Sequence, residues 1–501
     1  THYKDKELNE GWKIVLRNQF HDIIPGSSIR EVYEDSREEY REAEKRVTAV
    51  WQNAVRSFVT PKDNVVTVFN SAPWTREDLV KIPVGDGMRT GEWTDVKGRK
   101  LEAERVGDQW LVTVGGLPPM GYSTLTFHSE KQTAKGSERA GAASSDSSED
   151  SQAFKLSASG IVTPFYELEW NSQGQLVKIY DRENRRHVLK CKERGNVLQL
   201  FEDKPLAFDA WDIDLFYQEK MEEVVDLVSV EVCEHNALRV VVRFTWQYRE
   251  TTIKQDMIVY AKSRRIDFRT EVDWQETQRL LKVAFPVNIR ATEATYDIQF
   301  GNVKRPTHWN TSWDYARFET VGHQWADLSE RGYGVSLLND SKYGYDIKDS
   351  VMRLSLLKSA VYPDTEADRG RHTFTYSLYP HPGDWLEGGT VYEAWALNQP
   401  LTFVHGSSSV PERSLFRISN PHVMIDAVKK SEDRERLILR VHDFSGGRED
   451  VEISSDFTIR SWQECNLMER PIGEEVREDR IRFHLNPYEI KTFLVDIVDP
   501  G

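Results

Sequence analysis

The sequence predicts a mainly β fold: antiparallel β-sandwich domains, a large super-sandwich plus smaller sandwiches, preceded by two helices of a helix bundle. Three observations carry this prediction. Long apolar stripes at helical spacing occur only within residues 1–61, the period then changes to two, and strand-like stretches follow one another to the C-terminus between Gly, Pro, Asn and Asp turns. So many strands without intervening helices imply antiparallel sheets packed face to face.

Taken in order, residues 1–61 read as a helical bundle segment. Leu8, Trp12, Val15, Leu16 and Phe20 recur at steps of three and four, which puts them on one helix face. Pro25-Gly26 breaks the run, and Ser28 with Glu31 three residues later reads as a capping box opening a second helix. Its apolar positions include Val32, Tyr33, Tyr40, Ala43, Val47, Val50, Ala54 and Phe58, and Pro61 ends it. Each helix buries one stripe, so the pair needs a further partner surface. Residues 62–128 form a small β domain, with strands expected near 65–69, 79–82, 110–114 and 123–127. Residues 129–153 are small, polar and charged and read as a flexible linker. Residues 154–425 are assigned to the large antiparallel sandwich and 426–501 to a C-terminal small sandwich.

Length and charge narrow the function classes. The 501 residues imply several domains, and 66 Lys+Arg against 81 Asp+Glu leave a net charge of −15, which argues against nucleic acid as a partner. No run approaches the roughly 20 apolar residues of a membrane-spanning helix, so no membrane partner is expected. Cys191, Cys233 and Cys465 lie far apart with no C-x-x-C pair, which suits a reducing, cytoplasmic setting. The chain opens at Thr1 directly on a helical pattern with no basic and apolar leader, which reads either as the start of a trimmed chain or as the back half of something longer.

Most catalytic signatures are missing: there is no P-loop, no G-x-S-x-G, no H-E-x-x-H and no EF-hand loop. Gly85, Gly87 and Gly91 have the wrong spacing for a dinucleotide loop and read as a hairpin turn. The one dense polar cluster is Asn18-Gln19-Phe20-His21-Asp22 and its exit through Pro25-Gly26-Ser27-Ser28. An imidazole beside a carboxylate at a helix end can ligate a metal or touch a ligand; it can equally serve the helix dipole. Trp211, flanked by Asp209 and Asp212, offers an indole for a sugar face and carboxylates for its hydroxyls, the plainer reading being a core aromatic between turn residues. Arg369, in the Asp368-Arg369-Gly370 loop, either reaches a site from the β side or lies on a solvated loop. His308, His323, His372 and His381 match no metal-ligand spacing.

Gln19-Phe20-His21-Asp22-Ile23-Ile24-Pro25-Gly26-Ser27-Ser28-Ile29, leading into Val32-Tyr33-Glu34-Asp35, resembles the end of the catalytic part of glycoside hydrolase family 38, the α-mannosidases. The likeness continues through Val68-Phe69-Asn70 with Pro73-Trp74, through residues 195–203 and 208–213, and through 327–335 and 338–346; the last two blocks are most similar to the bacterial and cytosolic branch. The resemblance implies that His21 is one of four zinc ligands and that Asp22 contacts the sugar. Phe20 stands where many members carry a further histidine. It also implies that the nucleophile, the acid/base and a His-x-Asp zinc pair belong to an α/β catalytic domain N-terminal to this region, since no position here matches them. The expected function is therefore that of the C-terminal part of a zinc-dependent retaining α-mannosidase acting on terminal non-reducing α-D-mannosyl residues, inactive alone and partnered by that catalytic domain. Homo-oligomerisation stays open. The rival is a non-catalytic carbohydrate-binding or scaffolding β-sandwich protein.

Overall fold

A computed structural model describes residues 3–129 and 153–500; the expected linker falls outside the described residues apart from its two ends. The first two elements are helices, α1 (Asp5–Arg17) and α2 (Arg30–Phe58), packed antiparallel. Glu7 meets Arg46 at 2.7 Å at one end, and Arg17 meets Glu39 at 2.5 Å at the other. Gly11 is the buried residue of α1, and a Cβ there would already touch Val47 at 3.8 Å. The expected capping box does not form. Ile29 is the N-cap of α2 and makes no side-chain cap, because the Ser28 hydroxyl is turned back to the Asp22 carbonyl at 2.7 Å. Trp12, Leu16 and Phe20 remain 63%, 62% and 53% exposed, so the second helix leaves most of the apolar stripe of α1 uncovered.

The small β domain pairs Val65–Asn70 with Gly121–Ser129 and packs this sheet against a three-stranded one made of Arg76–Pro83, Gln109–Leu117 and Ala103–Val106. Gly91–Thr94 joins the first sheet on Gly121–Ser129, and two further strands complete it from far along the chain. Thr402–His405 pairs with Val65–Asn70, and Glu412–Ser414 with Gly121–Ser129. Both lie in the stretch that the sequence pattern assigns to the large sandwich, so the two units are interleaved along the chain.

The large unit contains a nine-stranded and a six-stranded sheet, all strand pairs antiparallel, with a common core that includes Trp246, Phe268, Trp274, Phe285 and Tyr376. Val351–Lys358 shows why the pattern is readable: its residues alternate between buried and partly exposed for most of its length. Two helices interrupt the strands. Ser312–Ala316 starts at a genuine capping box between Thr311 and Asp314, and Thr390–Asn398 starts at Gly389, whose φ of 73° needs a glycine. The latter segment is apolar on nearly every side, so no amphipathic stripe announces it. A four-stranded and a three-stranded sheet around Phe416, Val441, Trp462 and Phe493 form the C-terminal sandwich.

Two loops of the six-stranded sheet reach toward the helices. Residues 203–220 leave the strand Val197–Glu202, and residues 359–369 leave the strand Val351–Lys358. Both converge on the corner between α1 and α2.

Candidate functional site

The corner is built by hydrogen bonds that sequence order makes local. Asn18, 2% exposed, closes α1 by donating from Nδ2 to the Ile14 carbonyl at 3.0 Å and to Glu39 of α2 at 2.6 Å. Turns come next, with the amides of Ile23 and Ile24 both donating to the Phe20 carbonyl. The Asp22 carbonyl is then fastened from downstream, by Ser28 and by the Tyr33 hydroxyl at 3.3 Å, while the Ser28 amide donates to the Tyr33 oxygen at 2.8 Å. Burial raises the Tyr33 phenol above its ordinary value, so it stays a neutral donor and acceptor. Gly26 takes a φ of 82° where the chain reverses.

This holds His21 and Asp22 at the surface. His21 Nε2 stands 3.3 Å from Asp22 Oδ2, with the side chains 70% and 35% exposed. Phe20 packs its ring 4.3 Å from the imidazole, and Trp211 lies on another side at 6.3 Å between ring centroids. Trp211 is 54% exposed, which corrects the core reading of this residue. It sits in a turn where the amides of Trp211 and Asp212 both donate to the Phe208 carbonyl. Asp209 acts within the framework: its carboxylate accepts the Val361 amide at 2.6 Å, tying the two loops together, and Ala210, Ala360 and Ala367 pack beneath. Asp212 contributes its carbonyl, which accepts from Lys358 at 3.0 Å. Arg369 is exposed and donates to Gln275 at 3.3 Å.

Sequence reading misses several parts. Arg30, the first residue of α2, meets Glu366 at 2.5 Å and so pins the 359–369 loop to the helix. Leu206, Phe208 and Phe216 stand 98%, 70% and 63% exposed along the loop that carries Trp211. No periodic signal marks such residues, because loop apolar groups left in water follow no pattern. The remaining histidines are scattered in separate roles: His381 is buried on Asp327 at 2.9 Å, and His372 bonds the Asp368 carbonyl at 2.6 Å.

Among the described residues no group of three or more His, Cys, Asp or Glu is placed to hold a metal ion. His21 and Asp22 alone do not make a zinc site; an exposed imidazole of this kind suits one ligand of a shell whose other donors come from elsewhere. No helix among the described residues is long and apolar enough to cross a membrane.

Comparison with known proteins decides what these residues belong to. Residues 1–58 match the alpha mannosidase middle domain, 161–366 the glycosyl hydrolases family 38 C-terminal domain, and 422–493 the C-terminal beta sandwich domain of that family. The chain belongs to glycosyl hydrolases family 38. Alpha-mannosidase 2C1 of Homo sapiens is 30% identical over 99% of this chain and 46% of its own length, and alpha-mannosidase G of Dictyostelium discoideum is 30% identical over 98% and 48%. The chain thus spans about half the length of the curated relatives it matches. The fold is shared with the crystal structure of an alpha-mannosidase from Enterococcus faecalis at a TM-score of 0.78 and 14% identity, over 99% of this chain and 64% of that one.

Proposed function

We propose that this chain is the C-terminal part of a zinc-dependent retaining α-mannosidase that removes terminal non-reducing α-D-mannosyl residues. In this reading His21 supplies one zinc ligand, Asp22 holds the sugar, and Trp211 and the residues 203–216 border the substrate. The observation that carries it is the meeting of His21, Asp22 and Trp211 at one exposed corner, built from segments 190 positions apart in the chain (211 − 21). The uncovered stripe of Trp12, Leu16 and Phe20 supports a preceding catalytic domain as the surface that α1 lacks. The nucleophile and acid/base, which retaining hydrolysis requires as a carboxyl pair, belong to that domain, and the isolated chain is inactive. Three unpaired cysteines favour a cytoplasmic setting.

The test compares this chain alone with the same chain joined to a preceding family 38 α/β domain. Zinc content after dialysis and hydrolysis of 4-nitrophenyl α-D-mannopyranoside are measured in both. The expected result is zinc retention and turnover only in the joined protein, both reduced by His21→Ala. Robust hydrolysis by the 501-residue chain alone overturns the reading, as does full zinc retention and activity in the His21→Ala joined protein.

A further inference from the structure

A cavity of about 360 Å³ opens where three units meet, and none of its lining residues belongs to the corner or loops around His21. The strand Arg76–Pro83 of the small β domain forms one wall, the end of Thr251–Tyr260 and the turn after it form a second, and the helix Thr390–Asn398 forms the third. The volume falls within the lower part of the range of small-molecule sites, roughly 300–1,000 Å³.

Its chemistry is a balanced mixture. Arg76 is bound to Asp78 at 2.8 Å, Lys262 to Glu102 at 2.9 Å, and Arg265 lies on Asp267 at 2.9 Å with a third nitrogen 3.4 Å from Glu393. No cation in the wall is left over for an anionic ligand, and each carboxylate already faces a cation or a donor. A charged ligand would have to break one of these pairs, which costs free energy in a partly desolvated site. Glu393 lies deep between the units, yet 28% of its side-chain surface remains accessible, and it is a wall residue of the cavity. Burial raises its carboxyl above the ordinary value, against the pull of Arg265. Trp74 and Tyr392 supply the apolar part, packed edge to face at 4.7 Å, both partly exposed at the rim.

Aromatic rings beside paired donors and acceptors without net charge suit a neutral polyhydroxy ligand, whose C–H face packs on a ring while its hydroxyls bridge acids and bases. We propose that this cavity is a second saccharide site, separate from the His21 corner, taking a neutral hexopyranose unit between Trp74, Glu393 and Lys262. Because its walls come from the small β domain, the large sandwich and the helix between them, occupancy would also brace these units against one another.

Isothermal titration of the full 501-residue chain with methyl α-D-mannopyranoside, methyl α-D-glucopyranoside and glucose 6-phosphate tests this. The expected result is millimolar binding of at least one neutral glycoside, insensitive to added salt and unchanged in His21→Ala. Glu393→Gln and Lys262→Ala should each weaken it about tenfold, the loss expected for a hydrogen bond to a charged group. Lys262 is 44% exposed, so its truncation leaves folding intact, and an unchanged melting temperature verifies that. Absence of binding by both neutral glycosides overturns the proposal. So does binding that survives Lys262→Ala and Glu393→Gln, binding lost in His21→Ala, or preference for the sugar phosphate.

Discussion

Ser28 donates its hydroxyl hydrogen to the carbonyl oxygen of Asp22 at 2.7 Å, closing the corner that presents His21. The sequence pattern instead pairs this residue with Glu31 as a cap for α2, and the two roles make opposite predictions. Ser28→Ala should loosen residues 18–29, seen as faster amide hydrogen exchange there, at a cost of about 1 kcal/mol. Glu31→Ala, which a capping box would make equally damaging, should leave exchange in that segment unchanged.

Trp211→Ala tests the sugar-facing role of the indole. In the joined, active protein it should raise KM for aryl mannosides about three- to tenfold, the loss of about 0.5–1.5 kcal/mol of aromatic contact. Zinc content should stay at the parent level, which separates this variant from His21→Ala.

Lys282 is fully buried beneath the loop that carries Trp211. It donates to the Tyr217 hydroxyl at 2.7 Å and to Glu319, with Asp346 at 3.8 Å. Removing the cation leaves the fully buried Asp346 with Arg353 at 3.2 Å as its ion-pair partner and the partly exposed Glu319 with a hydrogen bond from Ser355. Lys282→Met should therefore destabilise the large sandwich by about 2–4 kcal/mol, towards the lower end of what breaking a buried pair costs. Urea unfolding followed by tryptophan fluorescence measures it. Surface pairs such as Arg30 with Glu366 should show no comparable loss, since water screens them.

Asp297 gives the chain a pH dependence of defined sign. Burial lifts its carboxyl to about 7, only partly offset by the Gln324 amide that it accepts at 2.9 Å. The folded form therefore holds this proton more tightly than the unfolded chain does. Its contribution to stability is fullest below the unfolded value, near pH 4, and declines as pH rises through about 7, by about 4 kcal/mol in all. Asp297→Asn keeps an acceptor and removes the titration, so its stability curve should be flatter over that interval. An equally sloped curve would show that other groups dominate.

The β fold and the His21 corner are readable from the sequence for different reasons. Alternation in strands such as Val351–Lys358 reports burial directly, because one face of a sheet must be apolar. His21 and Asp22 stand out as a local run of polar residues, and a local run survives as a local corner. Trp211 is ambiguous, because an indole has the same letter in a core and on a rim; only the fold of residues 203–216 against 359–369 turns it outward. The Arg30–Glu366 contact links residues 336 apart in the chain, and nothing in either neighbourhood points to the other. The Thr390–Asn398 helix escapes notice because its surroundings bury several of its sides at once.

The hydroxyl of Thr67 donates to the carbonyl of Gly406, 339 positions later, beside the strand pairing of Val65–Asn70 with Thr402–His405. During synthesis the N-terminal sheet must therefore wait with one flank open while the whole large sandwich emerges and folds. A ribosome stalled near residue 400 would release a product whose large sandwich is complete but whose Val65–Asn70 strand offers an unpaired edge to any neighbour. The small domain begins before the large sandwich in the sequence and is finished after it, so the integrity of that one sheet reports whether nearly everything between its halves has folded correctly.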